Sequence, residues 1–260
     1  MATATALAFD PRDLEAKVKD MYRDVAEHPD GAFHFEMGRA MAERLGYSPA
    51  ALDQIPAEAI ASFAGVGHFF HLAKLQPGET VADLGSGSGM DTFLAARLVG
   101  PHGSVIGIDM TDEQLAKAEK LRQASGLLQA RFRKAYIEEV PLASASVDCV
   151  ISNGVFNLAI DKPAVFGEAC RLLRPGGRLA ISDIVTDVAL PDGIVCNATL
   201  WAACIGGAAQ RDSYSAMIES AGMRVERIED NSAYRFISDN AQGASRKYGV
   251  KSVSILAVKP

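Results

Sequence analysis

No Cys-x-x-Cys pair joins any of the four cysteines, Cys149, Cys170, Cys196 and Cys204, so no metal site is expected, and reduced thiols in a cytoplasm are. Lys and Arg form no cluster and the formal net charge is −6, which argues against nucleic acid or an anionic membrane surface as a partner. The first ten residues lack a basic segment and a long apolar core, so no secretory leader is expected. The longest uncharged stretch, Gly193 to Gln210, contains Asn197, Thr199 and the Gly206-Gly207 pair and makes a poor membrane span. A glycine loop at 85–89 lacks the full G-x-G-x-x-G pattern, because its sixth position is Met90. It also lacks the Lys-Ser or Lys-Thr pair of a phosphate-cradling loop.

What the chain does have is one β-α-β unit from Glu79 to Asp109. A short apolar run ending in Asp83-Leu84 leads into Gly85-Ser86-Gly87-Ser88-Gly89, then an Ala-rich helical pattern, then Val105-Ile106-Gly107-Ile108-Asp109. Glycines there let a tight turn bring backbone against a ligand. Asp83, two residues ahead of the first glycine, would repel a diphosphate and attract an ammonium or sulfonium group. Asp109 is placed to accept hydrogen bonds from two ribose hydroxyls. The combination predicts a cationic nucleoside ligand.

The remaining chain, at 260 residues with nearly half of them hydrophobic, suits one large α/β domain with decorations. Asp10-Pro11 opens a helix through Leu14, Val18, Met21 and Val25. A second is predicted from Phe35 to Leu45 and a third from Ser48-Pro49. This helical segment, residues 1–72, is expected to be a lid over the ligand, because ligands of open α/β sheets bind at the C-terminal rim. Thr111 to Gln114 fits a capping box. Strands are expected at 130–135, 146–153, 178–185, 224–230 and 252–258, with helices at 162–173 and 211–222 and an insertion at 187–210. The expected fold class is α/β, Rossmann-like: a seven-stranded, mostly parallel sheet with its last strand reversed, spanning 73–260.

Asp83-x-Gly85-x-Gly87-x-Gly89 with Asp109 resembles the S-adenosylmethionine site of class I methyltransferases. More specifically, Asp83 to Asp91, Val105 to Thr111, Ser152 to Leu158 and Leu200-Trp201-Ala202-Ala203-Cys204-Ile205-Gly206-Gly207 resemble the arsenite methyltransferase-like branch over roughly Ile55 to Gly222. Ubiquinone/menaquinone C-methyltransferases are similar in the sheet and in the Leu173-Arg174-Pro175-Gly176-Gly177 turn. The resemblance implies S-adenosylmethionine as cofactor, held by Asp83, Gly85, Ser86, Gly87, Asp109, Met110 and Asn153, with Ile137 and Glu138 flanking the adenine.

Arsenite methyltransferases hold trivalent arsenic with cysteine thiolates, soft ligands on a soft centre. Of the three family positions this chain keeps Cys204; the second is Gly154 and the first falls near Val66 or Gly67. The acceptor is therefore expected to be a small molecule, either a soft nucleophile such as an arsenical, thiol or selenol, or a carbon acceptor like that of the quinone C-methyltransferases. Cys204 and His68 are the candidate catalytic residues, with His34, His71 and Tyr22 as further bases on the lid. Two other readings stay open: a nicotinamide-dependent oxidoreductase, and a binding protein that keeps the donor site without chemistry. A homodimer is one assembly open to such a chain.

Overall fold

The structure, a computed structural model, describes residues 10–191, 194 and 205–260. Its chain order is α1 (Pro11–Glu27), α2 (Arg39–Leu45), α3 (Pro49–Leu52), α4 (Ala57–Ala61), α5 (Phe70–Ala73), β1 (Thr80–Leu84), α6 (Met90–Val99), β2 (Ser104–Asp109), α7 (Asp112–Ser125), β3 (Ala130–Lys134) and β4 (Val147–Asn153). A 3-10 turn at Phe156–Leu158 follows, then α8 (Lys162–Leu172), β5 (Leu173–Val185), α9 (Arg211–Ser220), β6 (Arg224–Asp230), α10 (Asp239–Tyr248) and β7 (Lys251–Val258). The sheet order is β3-β2-β1-β4-β5-β7-β6. β1 to β5 run parallel, and β7 is antiparallel to both its neighbours, as expected.

The inner parallel strands β1, β2 and β4 are short, mostly apolar, buried runs because helices cover both faces, whereas β3, Ala-Arg-Phe-Arg-Lys at the sheet edge, is largely exposed. α6 is buried nearly all round, from Met90 through Phe93 to Val99. β5 starts earlier than the sequence predicts: Val147 pairs with Leu173 and Cys149 with Arg178, so Arg174-Pro175-Gly176-Gly177 bulges out between two paired stretches. Gly176 takes φ +77° there. α2 starts at Arg39 and ends on the left-handed Gly46, a C-cap glycine that reads directly from sequence. The capping box does not form: Thr111 makes no side-chain cap and is bonded to Asp109 through its N–H at 2.9 Å and its side chain, while the Gln114 amide is drawn to the Tyr22 carbonyl at 2.7 Å.

The expected cap over residues 1–72 divides in two. Met41, Ala42, Tyr47, Leu52, Ile55, Phe63 and Phe69 share one core with Val81, Met90 and Phe93, so α2 to α5 are built into the domain. Only α1 stands apart, burying Leu14 and Val18 on Met110 and Leu158. Its C-terminal half is fastened by Lys117 Nζ on the Ala26 carbonyl and Ser62 Oγ on the Val25 carbonyl.

Loop 65–69, between α4 and α5, lies across the sheet. Ser252 Oγ donates to the Val66 carbonyl at 2.6 Å and Ser254 Oγ to the His68 carbonyl at 3.1 Å. A Cβ on Gly67 would come within 2.1 Å of the Asn231 side chain and 2.6 Å of Ser182 Oγ, so only glycine passes. Of the insertion at 187–210, Trp201 and the Cys196 and Cys204 thiols lie outside the described residues.

Candidate active site at the C-terminal rim of the sheet

A cavity of about 270 Å³ opens over the C-terminal ends of β1, β2 and β4. All nine residues expected to hold a cofactor, Asp83, Gly85, Ser86, Gly87, Asp109, Met110, Ile137, Glu138 and Asn153, line it. One wall is α1, through Leu14, Glu15, Val18 and Tyr22; another is Ser62 to Gly65. Glu15 and Lys19 of α1 meet the Tyr136 hydroxyl at 2.7 and 3.0 Å, closing the rim beside Ile137 and Glu138.

The floor is the glycine loop. Gly85 has φ +77° and Gly89 φ +94°, which favour glycine. A Cβ on Gly85 would also stand 2.4 Å from Val155. Loop N–H groups are used within the fold: those of Gly85 and Ser86 donate to the Ile108 carbonyl at 2.8 and 2.9 Å, and that of Gly89 to the Ser86 carbonyl at 2.9 Å. Asp109 accepts from Gly87 N–H at 2.8 Å and Thr111 N–H at 2.9 Å, which holds its carboxylate at the mouth. Burial pushes its pKa up, against the lowering pull of those two amides.

Asp83 is 2% exposed and accepts from Thr92 Oγ1 at 2.6 Å. Burial, with Asp91 nearby, pushes its pKa up to about 8. Asp91, in the first turn of α6, is raised by burial to about 6, opposed by hydrogen bonds from Asn153 and Tyr47. Glu138 is half-buried and raised by the same desolvation. Glu15, Asp83, Asp91, Asp109 and Glu138 thus line one cavity with no Lys, Arg or His among its lining residues. A cationic centre fits this field and a diphosphate does not. That disfavours the nicotinamide reading.

Asn153 holds the wall through all its polar atoms. Its Oδ1 accepts from Val66 N–H at 2.8 Å and Gly67 N–H at 3.3 Å, and its Nδ2 lies 3.0 Å from the Asp91 carboxylate, the Tyr47 hydroxyl and the Gly67 carbonyl. Tyr47 in turn donates to Asp91 at 2.8 Å. Asp91 and Tyr47 were not among the expected site residues. Asp91 carried a signal, an acid one place after Met90 at the head of an apolar helix; Tyr47 carried none.

His68 requires correction as a candidate base. It does not line the cavity; it sits a layer behind Tyr47, edge-on at 4.6 Å, and stacks on His71 at 5.5 Å. Burial, then the neighbouring His71, lowers its pKa to about 4. His71 is spent on Glu229 at 2.7 Å and His34 is outside the cavity too; of the lid candidates only Tyr22 lines it. Cys204 lies outside the described residues. The other two positions where the resemblance implies thiols are Gly154 and, on loop 65–69, Val66 or Gly67; a Cβ on Gly154 would meet Val66 Cγ1 at 3.2 Å. Val66 packs with Ile184, Ile205 and Ala208. Cys149 and Cys170 are free and buried, and burial holds the Cys149 thiol at about 12, inert as a nucleophile. Among the described residues no group of three His, Cys, Asp or Glu side chains could hold a metal ion, and no helix is long and apolar enough to cross a membrane.

A family model described as a methyltransferase domain matches residues 75–222. An arsenite methyltransferase from Halobacterium salinarum is 37% identical over 96% of this chain and 68% of its own length. One from Aquipseudomonas alcaligenes is 38% identical over 69% of this chain and 54% of its own, so the chain spans between half and about two thirds of these curated relatives. Among solved structures, an arsenic(III) S-adenosylmethionine methyltransferase from Chlamydomonas reinhardtii superposes with TM-score 0.64 at 30% identity, covering 86% of this chain and 74% of that one.

Proposed function

This chain belongs to the S-adenosylmethionine-dependent methyltransferases of the arsenite methyltransferase-like branch, and from that premise we propose that it methylates a small arsenical already carrying methyl or thiol ligands in preference to free arsenite. Two lines support the reading. The names of its relatives point to arsenic, and Gly154 together with Val66 or Gly67 offers no sulfur where three-thiolate coordination needs it. One thiol, Cys204, cannot replace three labile ligands, whereas an acceptor bringing its own ligands needs fewer from the protein. Free thiols in a cytoplasm agree with such chemistry.

S-adenosylmethionine supplies a methyl group already activated by a sulfonium centre; the carbon–sulfur pair stays on sulfur and the new bond comes from the acceptor's lone pair. The chain's task is to orient and to exclude water. Asp109 would hold the ribose, Ile137 and Glu138 would flank the base, and buried Asp83 and Asp91 would face the cationic tail. Asn153, pinned to Asp91, Tyr47 and loop 65–67, fixes the wall past which the acceptor approaches. Leu14 and Val18 keep bulk water out.

The decisive experiment incubates protein and donor with arsenite, a monomethylated trivalent arsenical with excess thiol, selenols, thiols and quinols, and measures S-adenosylhomocysteine. The expected result is turnover of the methylated arsenical and little or none of arsenite. Arsenite turnover as fast as that of the methylated compound overturns the proposal. Donor binding with no product from any acceptor would favour the binding-protein reading.

The acids add a pH dependence. Because Asp83 has a higher pKa folded than unfolded, the ligand-free fold binds a proton that the unfolded chain lacks between about pH 4 and pH 8. Its stability contribution therefore falls as pH rises through that window. A cation beside Asp83 favours the carboxylate and reverses the trend. Against Asp91, Asp109 and Thr92, the groups facing Asp83, thermal melts from pH 5.5 to 8.5 should show the gap between donor-bound and ligand-free protein widening with pH. A constant gap would mean that donor uptake displaces no proton.

A further inference from the structure

The charges of the cavity say more about its ligand than that it is cationic. S-adenosylmethionine carries two positive groups and a carboxylate, and that carboxylate needs a partner. Five acids line the space, and none of its lining residues is basic. The nearby lysines are engaged: Lys19 on Glu15 at the rim, Lys117 on the Ala26 carbonyl and Ser62 hydroxyl, Lys162 on the Ala159 carbonyl at 2.8 Å. The segments outside the described residues, 1–9, 192–193 and 195–204, contain no Lys, Arg or His side chain.

The second observation concerns the usual neutral substitute for a cation, a loop of backbone N–H groups at a helix N-terminus. Here four of the loop's N–H groups are used within the fold: those of Gly85 and Ser86 end on the Ile108 carbonyl, that of Gly87 on Asp109 and that of Gly89 on the Ser86 carbonyl. Ser88 Oγ is paired with Gln114. Ser86 Oγ is buried with no hydrogen-bond partner and lies against Gly107, where a Cβ would stand 2.8 Å from it. The carboxylate of the donor would thus meet a wall of acids with no basic side chain among the lining residues, while the ammonium and sulfonium would meet Asp83 and Asp91.

We propose that this cavity binds adenosyl sulfonium compounds whose tail is a bare amine, the decarboxylated form of S-adenosylmethionine being the simplest, at least as tightly as S-adenosylmethionine itself. The proposal rests on reading the cavity as the donor site. Removing the carboxylate takes the ligand from one net positive charge to two, and in a field built of acids the second charge strengthens binding.

The test is calorimetric titration of the full chain with four probes: S-adenosylmethionine, its decarboxylated form, S-adenosylhomocysteine, which lacks the sulfonium charge, and uncharged 5′-methylthioadenosine. The decarboxylated probe should bind with equal affinity or up to about tenfold tighter than the donor, with the other two weaker in that order. Raising salt should weaken the decarboxylated probe by the larger factor, since two net charges are screened in place of one. If S-adenosylmethionine binds and the decarboxylated probe is tenfold weaker or worse, the protein recognises the carboxylate and the proposal fails while the donor site stands. If neither binds, both the proposal and the reading beneath it fall.

Discussion

Asp109→Ala should weaken S-adenosylmethionine binding by about a hundredfold or more, measured by calorimetric titration. The carboxylate holds the backbone N–H groups of Gly87 and Thr111, and in the proposed donor site it would also accept from the ribose hydroxyls. A hydrogen bond to a charged group contributes about 1.5–3 kcal/mol, so losing the two to ribose alone amounts to at least about 3 kcal/mol, a factor of a hundred or more. The glycine loop also loses the anchor that fixes Gly87. Asp109→Asn keeps one acceptor oxygen and should fall between the two. An unchanged affinity in the alanine variant would place the ribose elsewhere and undo the assignment of the cavity.

Starting the chain at His28, which removes α1, should abolish measurable donor binding while leaving the sheet's circular dichroism intact. α1 supplies Leu14, Val18 and Tyr22 to the cavity wall and contributes no strand. Its loss would open the proposed adenine and ribose ends of the cavity to water and carry the Kd up at least about thirtyfold, beyond the range a titration reads. A longer cut, through residue 54, answers a different question. It deletes Met41, Ala42, Tyr47 and Leu52 from the central core, and losing even one such buried side chain costs about 2–5 kcal/mol, so that protein should unfold. If the short truncation binds the donor normally, the helix is a bystander and the lid is not α1.

What sequence could show was whatever the chain encodes over a few neighbouring residues. The glycine loop, Asp83 and Asp109 at strand ends, Gly46 closing α2 and the reversed last strand all read from local pattern. Tyr47 could not be read that way, because its partners Asp91 and Asn153 are 44 and 106 positions away. The capping box at Thr111 failed in part for the same reason: Gln114 has a partner 92 residues upstream. α10 went unpredicted because it buries only Ala241 and Ala244, leaving no apolar stripe to count. His68 drew notice from its position in the chain, and packing then set it behind a tyrosine.

The seating of loop 65–69 on Ser252 and Ser254 reaches across 186 positions. During synthesis that contact waits for β7, which follows every other strand of the sheet in chain order. The loop that Asn153 grips on one side is thus seated on the other only once β7 has joined the sheet, so a chain stopped before β7 would lack that seat.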